Sequence, residues 1–236
     1  MLNMRIGLAA LVAAWVWSAL PAEGQTPQQW RDSLSTLSRQ IEQQPRSTDL
    51  RLKKAAVNIE LGQWDYAADE YGRVLAIDPD NLAARYYRAY ANSHRRQYAL
   101  AKSDYETFVS RVPLHMEARL GLAMVNEKMG RRTEAMDRYN ELVEMFPDSA
   151  LCYAARAAFE ATIGQYDTAL YDWQQAISRQ PLNADYVATK AELLISLDRG
   201  GEARSLLMEA VERGIAYGLL KPWIDRCGPA TQTKKR

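Results

Sequence analysis

The chain contains few of the residues from which catalytic and metal sites are built. Of its 236 residues only two are histidines, His94 and His115, and they stand too far apart to form a metal-binding pair of the HExxH type. The sequence also has no GxSxG, GxxxxGK[S/T] or GxGxxG motif, the usual signatures of a nucleophilic serine, a phosphate loop and a dinucleotide site. We therefore expect a non-enzymatic protein with no catalytic residues, no bound metal and no cofactor.

The sequence also lacks an excess of charge of either sign. It has 30 Lys and Arg residues against 29 Asp and Glu residues, a formal net charge of +1. A nearly neutral chain has no general electrostatic attraction for nucleic acid or for an acidic membrane surface. We therefore expect no nucleic-acid partner.

Only one long apolar run is present, at residues 6–20. Arg5 precedes this run, and Pro21 and the small-residue stretch 22–24 follow it, which is typical of a secretory signal peptide at residues 1–24. The alternative is a retained membrane anchor, but the run is shorter than the roughly 20 residues that span a bilayer. We predict cleavage before Gln25 and secretion across the inner membrane. The mature protein would then be periplasmic or extracellular, with no stable membrane span.

Several residue types recur with a period of 34 residues. Five prolines share this spacing: Pro45, Pro79, Pro113, Pro147 and Pro181. Two alanine columns share it as well, Ala55, Ala89, Ala123, Ala157, Ala191 and Ala67, Ala101, Ala135, Ala169, Ala203. A column of large side chains follows at Tyr71, Tyr105, Tyr139, Trp173 and Leu207. Alanine lets two helices approach closely, and proline prevents a helix from continuing.

A helix-turn-helix unit of this length, with small, aromatic and proline columns in this order, resembles the tetratricopeptide repeat (TPR). The resemblance covers residues 48–215 as five copies, at 48–81, 82–115, 116–149, 150–183 and 184–215. It implies an all-α, right-handed α-solenoid in which each repeat stacks on the next. We expect residues 26–47 to form an N-terminal capping helix, residues 216–227 a C-terminal capping segment, and residues 228–236 a disordered tail.

The two cysteines, Cys152 and Cys227, would share an oxidising compartment after export, which favours a disulfide. The repeat geometry argues against this bond. Positions two repeats apart in a stack of helices lie on the order of 20 Å apart, because neighbouring helices are about 8 to 10 Å apart. A disulfide tolerates only about 7 Å between Cα atoms. We therefore predict two thiols.

Acidic residues follow basic residues at a fixed spacing within three of the repeats. The pairs are Lys54 with Glu70, Arg88 with Asp104, and Arg156 with Asp172. The two columns fall on facing helices, so we predict structural ion pairs, since buried charges are retained when they are paired. The alternative, a row of basic residues awaiting a phosphate, is disfavoured because the acids accompany the bases.

An asparagine column at Asn58, Asn92 and Asn126 has two interpretations. Its amides could form a ladder of hydrogen bonds between neighbouring first helices, since each amide donates and accepts. They could equally bind an extended peptide backbone. The position of all three near the turn favours the ladder.

The resemblance implies a partner-binding groove lined by the first helix of each repeat. The candidate groove residues are Tyr86, Tyr90, His94, Leu120, Met124 and Glu127. Adjacent helical residues point about 100° apart, so one of Tyr86 and Tyr87 must belong to the core. The family's grip on a terminal carboxylate is missing, because the matching columns hold Leu52, Ala56, Tyr87, Glu117 and Gly121.

These observations predict a non-catalytic scaffold or adaptor that binds a peptide or protein partner in an extracytoplasmic compartment. The alternative is an accessory component of a cell-envelope complex with a catalytic or polysaccharide-handling role.

Overall fold

A computed structural model describes residues 26–227, so the predicted signal peptide and the predicted disordered tail lie outside the described residues. The described part of the chain consists of twelve α-helices and contains no strand. No helix between residues 26 and 227 is long and apolar enough to cross a membrane. The helices are α1 (Pro27–Gln43), α2 (Thr48–Glu60), α3 (Trp64–Ile77), α4 (Leu82–His94), α5 (Tyr98–Arg111), α6 (Met116–Lys128), α7 (Arg132–Met145), α8 (Ala150–Thr162), α9 (Tyr166–Arg179), α10 (Ala184–Ser196), α11 (Gly200–Glu212) and α12 (Tyr217–Arg226).

The helix boundaries follow from the capping residues. Ser47 and Asn81 precede first helices of two repeats, and their side chains accept hydrogen bonds from the backbone N–H groups of Leu50 and Ala84. Such N-caps satisfy donors that a helix start would otherwise leave without a partner. The turn inside each repeat needs a residue in the left-handed region, which Gly62 supplies with a φ of 67°.

The chain divides between Val125 and Asn126 into two compact units. In the first unit α2 packs against α1 and α3, and α4 packs against α3 and α5. In the second unit α8 packs against α7 and α9, α10 against α9 and α11, and α12 against both α10 and α11. Helices that contact mainly their neighbours in sequence form an all-α helical repeat solenoid.

The recurring columns form the core of each unit. The alanines of both columns are fully buried, and the large side chains of the third column are at most 3% exposed. Burying a side chain of this size contributes about 1.5 to 3 kcal/mol. The sequence period therefore corresponds to a repeated packing contact.

Candidate partner-binding surface

Three ring-bearing side chains meet at the surface of the first unit: Trp64, Tyr90 and His94. Tyr90 and His94 are one turn apart on α4 and so share a face, and Trp64 begins α3. The Trp64 and His94 rings are stacked, with centroids 3.9 Å apart and planes 8° apart. Tyr90 meets both rings edge-on, at 5.8 Å from Trp64 and 4.6 Å from His94. We call this group the aromatic cluster.

The electrostatics of the aromatic cluster favour uncharged rings. Desolvation lowers the pKa of His94, so the imidazole is neutral at pH 7. Burial, and then the nearby Glu60 carboxylate, raises the pKa of the Tyr90 hydroxyl. His94 and Glu60 are exposed, and Trp64 and Tyr90 are half-buried. The surface therefore offers neutral aromatic area beside one carboxylate.

Sequence reasoning did not select Trp64, although it contributes the largest ring of the aromatic cluster. Its position could have been noticed in the sequence, because aromatic residues recur two residues after the turn inside a repeat, where Gly62 stands in the first copy. Tyr98 and Tyr166 occupy the same place in two later repeats. This recurrence could have marked the aromatic residues at the start of each second helix as candidates for the partner-binding surface.

Two predicted groove residues lie in the core, which corrects their assignment to the groove. Tyr86 is 6% exposed and Leu120 is 2% exposed. The Tyr86 ring packs against Phe108 and His115, with centroids 5.2 Å and 5.0 Å away. Neither side chain is available to a partner, because Tyr86 on α4 and Leu120 on α6 both point into the core. Tyr87, which is only half-buried, takes the outward position beside Tyr86.

The two remaining groove candidates belong to different units. Met124 is half-buried on α6 in the first unit. Glu127 belongs to the second unit, where its carboxylate accepts a hydrogen bond of 3.1 Å from the Tyr139 hydroxyl and pairs with Lys128 at 2.9 Å. Partner binding by Met124 and Glu127 remains a prediction.

The paired columns lie at ion-pair distance within their repeats. Lys54 Nζ is 3.2 Å from Glu70 Oε1. Arg88 Nε and Nη2 each donate to Asp104 at 2.8 Å, and Arg156 Nε and Nη2 donate to Asp172 at 2.5 Å and 3.0 Å. The hydrogen bond to the carboxylate raises the pKa of each arginine, although desolvation opposes it. All three acids are buried, so the carboxylates depend on these partners.

Sequence reasoning missed a second base at two of these carboxylates. Arg51 Nη1 is 2.8 Å from Glu70 Oε2, and Arg85 Nη1 is 3.5 Å from Asp104 Oδ1. Both belong to an arginine column one helical turn before the predicted bases. Their spacing along α2 and α4 places them on the same helix face as Lys54 and Arg88.

The predicted asparagine ladder is not formed between Asn58 and Asn92, and both side chains are buried. The Asn92 Oδ1 atom accepts a hydrogen bond of 2.9 Å from Arg95 Nη1 in its own repeat. The Asn58 Nδ2 atom has no hydrogen-bond partner among residues 26–227. Because this nitrogen atom is itself buried, Asn58 also cannot bind a peptide backbone. Neither alternative holds for Asn58, because a position near a turn does not determine which way an amide points.

No arrangement for metal binding occurs in the described part of the chain. Residues 26–227 contain no cluster of three or more His, Cys, Asp or Glu side chains that could hold an ion. The aromatic cluster has one titratable base, His94, and no nucleophile beside it in the described contacts. Its chemistry is suited to noncovalent contact.

Comparison with known proteins supports the repeat assignment. A tetratricopeptide-repeat family model matches residues 93–150, and no curated protein sequence matches the chain. A tetratricopeptide-repeat protein from Parabacteroides merdae has a similar structure, with a TM-score of 0.64 and 18% identity over 86% of this chain and 79% of that one.

Two further solved structures have the same fold. MamA from Desulfovibrio magneticus RS-1 gives a TM-score of 0.62 with 15% identity, over 66% of this chain and 88% of that one. A thermophilic TPR protein from Thermus thermophilus gives 0.56 with 20% identity, over 76% and 98% of the two chains. Together with the matched segment and the twelve helices described for residues 26–227, these likenesses show an all-α helical repeat fold of the tetratricopeptide-repeat type.

Proposed function

We propose that the protein is an exported, non-catalytic scaffold that binds a peptide or protein partner at the aromatic cluster. The repeat fold supports a role in protein interaction, because solenoids of this kind present extended binding surfaces. Export rests on the signal-peptide pattern at residues 1–24.

The observation that carries the proposal is the stacked, half-exposed group of Trp64, Tyr90 and His94. Tryptophan and tyrosine dominate binding energy at protein interfaces because they bury a large rigid area at low entropic cost. The partner would place an apolar or aromatic side chain on these rings. A basic group on the partner could then approach the exposed Glu60 carboxylate.

The test is quantitative affinity capture with the mature protein and with Tyr90→Ala. The amount of each partner captured by the unmodified chain should fall at least tenfold with Tyr90→Ala, as measured by mass spectrometry. The Tyr66→Ala variant is the matched control, because Tyr66 is 65% exposed on α3 and lies outside the aromatic cluster.

Equal capture by Tyr90→Ala and Tyr66→Ala would disprove the proposed surface. Circular dichroism must show that Tyr90→Ala keeps its helical content and melting temperature. A large loss of stability would place Tyr90 in the core and also contradict the proposal. Export is checked separately, by fractionation and by N-terminal sequencing for a chain that starts at Gln25.

A further inference from the structure

Equivalent grooves lie between second helices of successive repeats in each unit. In the first unit a cavity of about 510 Å³ is bounded by α3, α4 and α5. In the second unit a cavity of about 410 Å³ is bounded by α9, α10 and α11, at positions three repeats further along the chain. The two grooves can therefore be compared residue by residue.

In the second unit the basic residue of this groove, Lys190, already has a hydrogen-bond acceptor in the protein itself. Gln174 on α9 accepts a hydrogen bond of 2.7 Å from Lys190 Nζ. One repeat earlier, Asn140 accepts a hydrogen bond of 3.0 Å from Arg156 Nη1. In both cases an amide oxygen of one repeat binds the base of the next.

In the first unit the corresponding oxygen is missing, because Gly72 occupies the position of Asn140 and Gln174. Two nitrogens of Arg88 bind Asp104, but its third nitrogen, Nη1, has no acceptor among residues 26–227. A Cβ built on Gly72 would meet only this Nη1 atom, at 3.9 Å. The groove is therefore open next to a charged donor.

A second donor faces the same groove. Asn92 uses its oxygen for Arg95, but its Nδ2 atom has no partner within the described residues. In the second groove the equivalent residue is Leu194, which has no polar group. The groove also contains two acids: Asp104 is neutralised by Arg88 and Arg85, and Asp69 is exposed.

We propose that the groove at Gly72 binds a carboxylate, supplied by an acidic side chain of a peptide. One carboxylate oxygen would take the place that an amide oxygen has in the later repeats and accept from Arg88 Nη1. The second oxygen would accept from Asn92 Nδ2. Charge-assisted bonds of an arginine to a carboxylate are stronger than neutral ones, which favours a carboxylate over an amide. The exposed Leu100 side chain and Ala76 supply apolar contact for the methylene groups.

The experiment uses the mature chain, residues 25–236, with the peptide acetyl-Glu-Glu-Glu-amide as the probe. Binding is followed by ¹⁵N-¹H chemical-shift changes at low salt. The shifts should centre on α3, α4 and α5, and the neutral peptide acetyl-Gln-Gln-Gln-amide should bind at least fivefold more weakly.

The decisive variant is Gly72→Asn, which restores the internal acceptor found in the third repeat. It should weaken binding of the acidic peptide at least fivefold, and Gly72→Gln, which introduces the same side chain as Gln174, should do the same. Gly218→Asn is the matched control, because a Cβ at this helical glycine meets nothing within 4 Å and it lies in the other unit.

Unchanged affinity in both Gly72 variants would overturn the proposal, as would equal binding of the neutral peptide. Tighter binding of inorganic phosphate than of the acidic peptide would overturn the assignment to a carboxylate. The result is independent of Tyr90→Ala, so this proposal and the proposed function can fail separately.

Discussion

Gly121 lies where the helices of the first unit pack so closely that there is no space for a Cβ atom. A Cβ built there would lie 2.6 Å from Cζ of Tyr105, closer than van der Waals contact allows. The Tyr105 ring is 3% exposed and packs near Tyr86, with centroids 6.1 Å apart, so it cannot move without disturbing the core. The glycine is thus a packing residue, although its column belongs to the family's binding face.

We expect Gly121→Ala to lower the free energy of unfolding by about 1 to 3 kcal/mol, as overpacking does. Helix propensity alone predicts the opposite sign, since alanine is favoured over glycine by about 1 kcal/mol. Denaturant unfolding distinguishes the two effects. Gly218→Ala is the control, because its Cβ would meet no neighbour and the variant should be neutral or stabilised.

Glu160 continues the asparagine column in the fourth repeat and is buried. Burial, and then the nearby Asp172 carboxylate, raises the pKa of Glu160 from 4.5 to about 7, although Arg156 opposes this shift. One carboxylate oxygen, Oε2, has no hydrogen-bond partner among residues 26–227. The protonated form is therefore the better tolerated one.

This shift predicts a pH dependence of stability. Between pH 4.5 and 7 the folded protein holds a proton on Glu160 that the unfolded chain has lost. Stability from this group therefore falls as the pH rises through this window. Glu160→Gln should remove that slope and unfold at higher temperature than the unmodified protein at pH 8, with little difference at pH 4. Glu144 is exposed and serves as the control. An equal change in melting temperature with Glu144→Gln would show that the pH dependence does not come from Glu160.

Buried carboxylates join the two helices of a repeat, as in the α8–α9 pair. Asp172 is 1% exposed and receives two hydrogen bonds from Arg156. Removal of one partner leaves a buried charge uncompensated, which costs more than the pair itself contributes.

We expect Asp172→Ala to lower the free energy of unfolding by about 3 to 5 kcal/mol, reduced to the extent that water reaches Arg156. The control is Asp225→Ala, which breaks the exposed pair of Asp225 and Lys221 on α12 and should cost at most about 0.5 kcal/mol. Chemical denaturation measures both changes. A cost for Asp172→Ala no larger than that for Asp225→Ala would show that the buried pair is not required for stability.

Helix pairs and the ion-pair columns were predictable because both recur with the repeat. Ala67 and Tyr71 belong to columns that are buried in all five repeats, and Asp104 belongs to a column that holds an acid opposite a base in three of them. The orientation of Tyr86 was not predictable in this way, because the helical period allows either Tyr86 or Tyr87 to point inward. The neighbours Phe108 and His115 select Tyr86, and they lie on other elements. Trp64 was missed because its role depends on one particular contact with His94.

At the scale of the whole chain, the last repeats determine the separation of the two cysteines. Cys227 follows α12 and lies against the start of α11, with its carbonyl oxygen 3.1 Å from the Cβ position of Gly200. Cys152 on α8 is close enough to Tyr186, near the start of α10, to contribute to the raised pKa of that hydroxyl, after burial and Asp185. The cysteines thus lie near opposite ends of α10, Ala184–Ser196.

A helix rises 1.5 Å per residue, so the ends of the 13-residue α10 are on the order of 20 Å apart, more than twice the reach of a disulfide. Both cysteines are thiols in the structure. We therefore expect two reactive thiols per chain when the purified protein is unfolded without a reductant and labelled with an iodoacetamide reagent. In the folded protein Cys227 should react before Cys152, because Cys152 is 1% exposed and Cys227 is only half-buried. The Cys227→Ser variant should retain one thiol that reacts only on unfolding. Absence of labelling in the unfolded, unreduced chain would mean that the cysteines are oxidised and that the end of the solenoid folds differently.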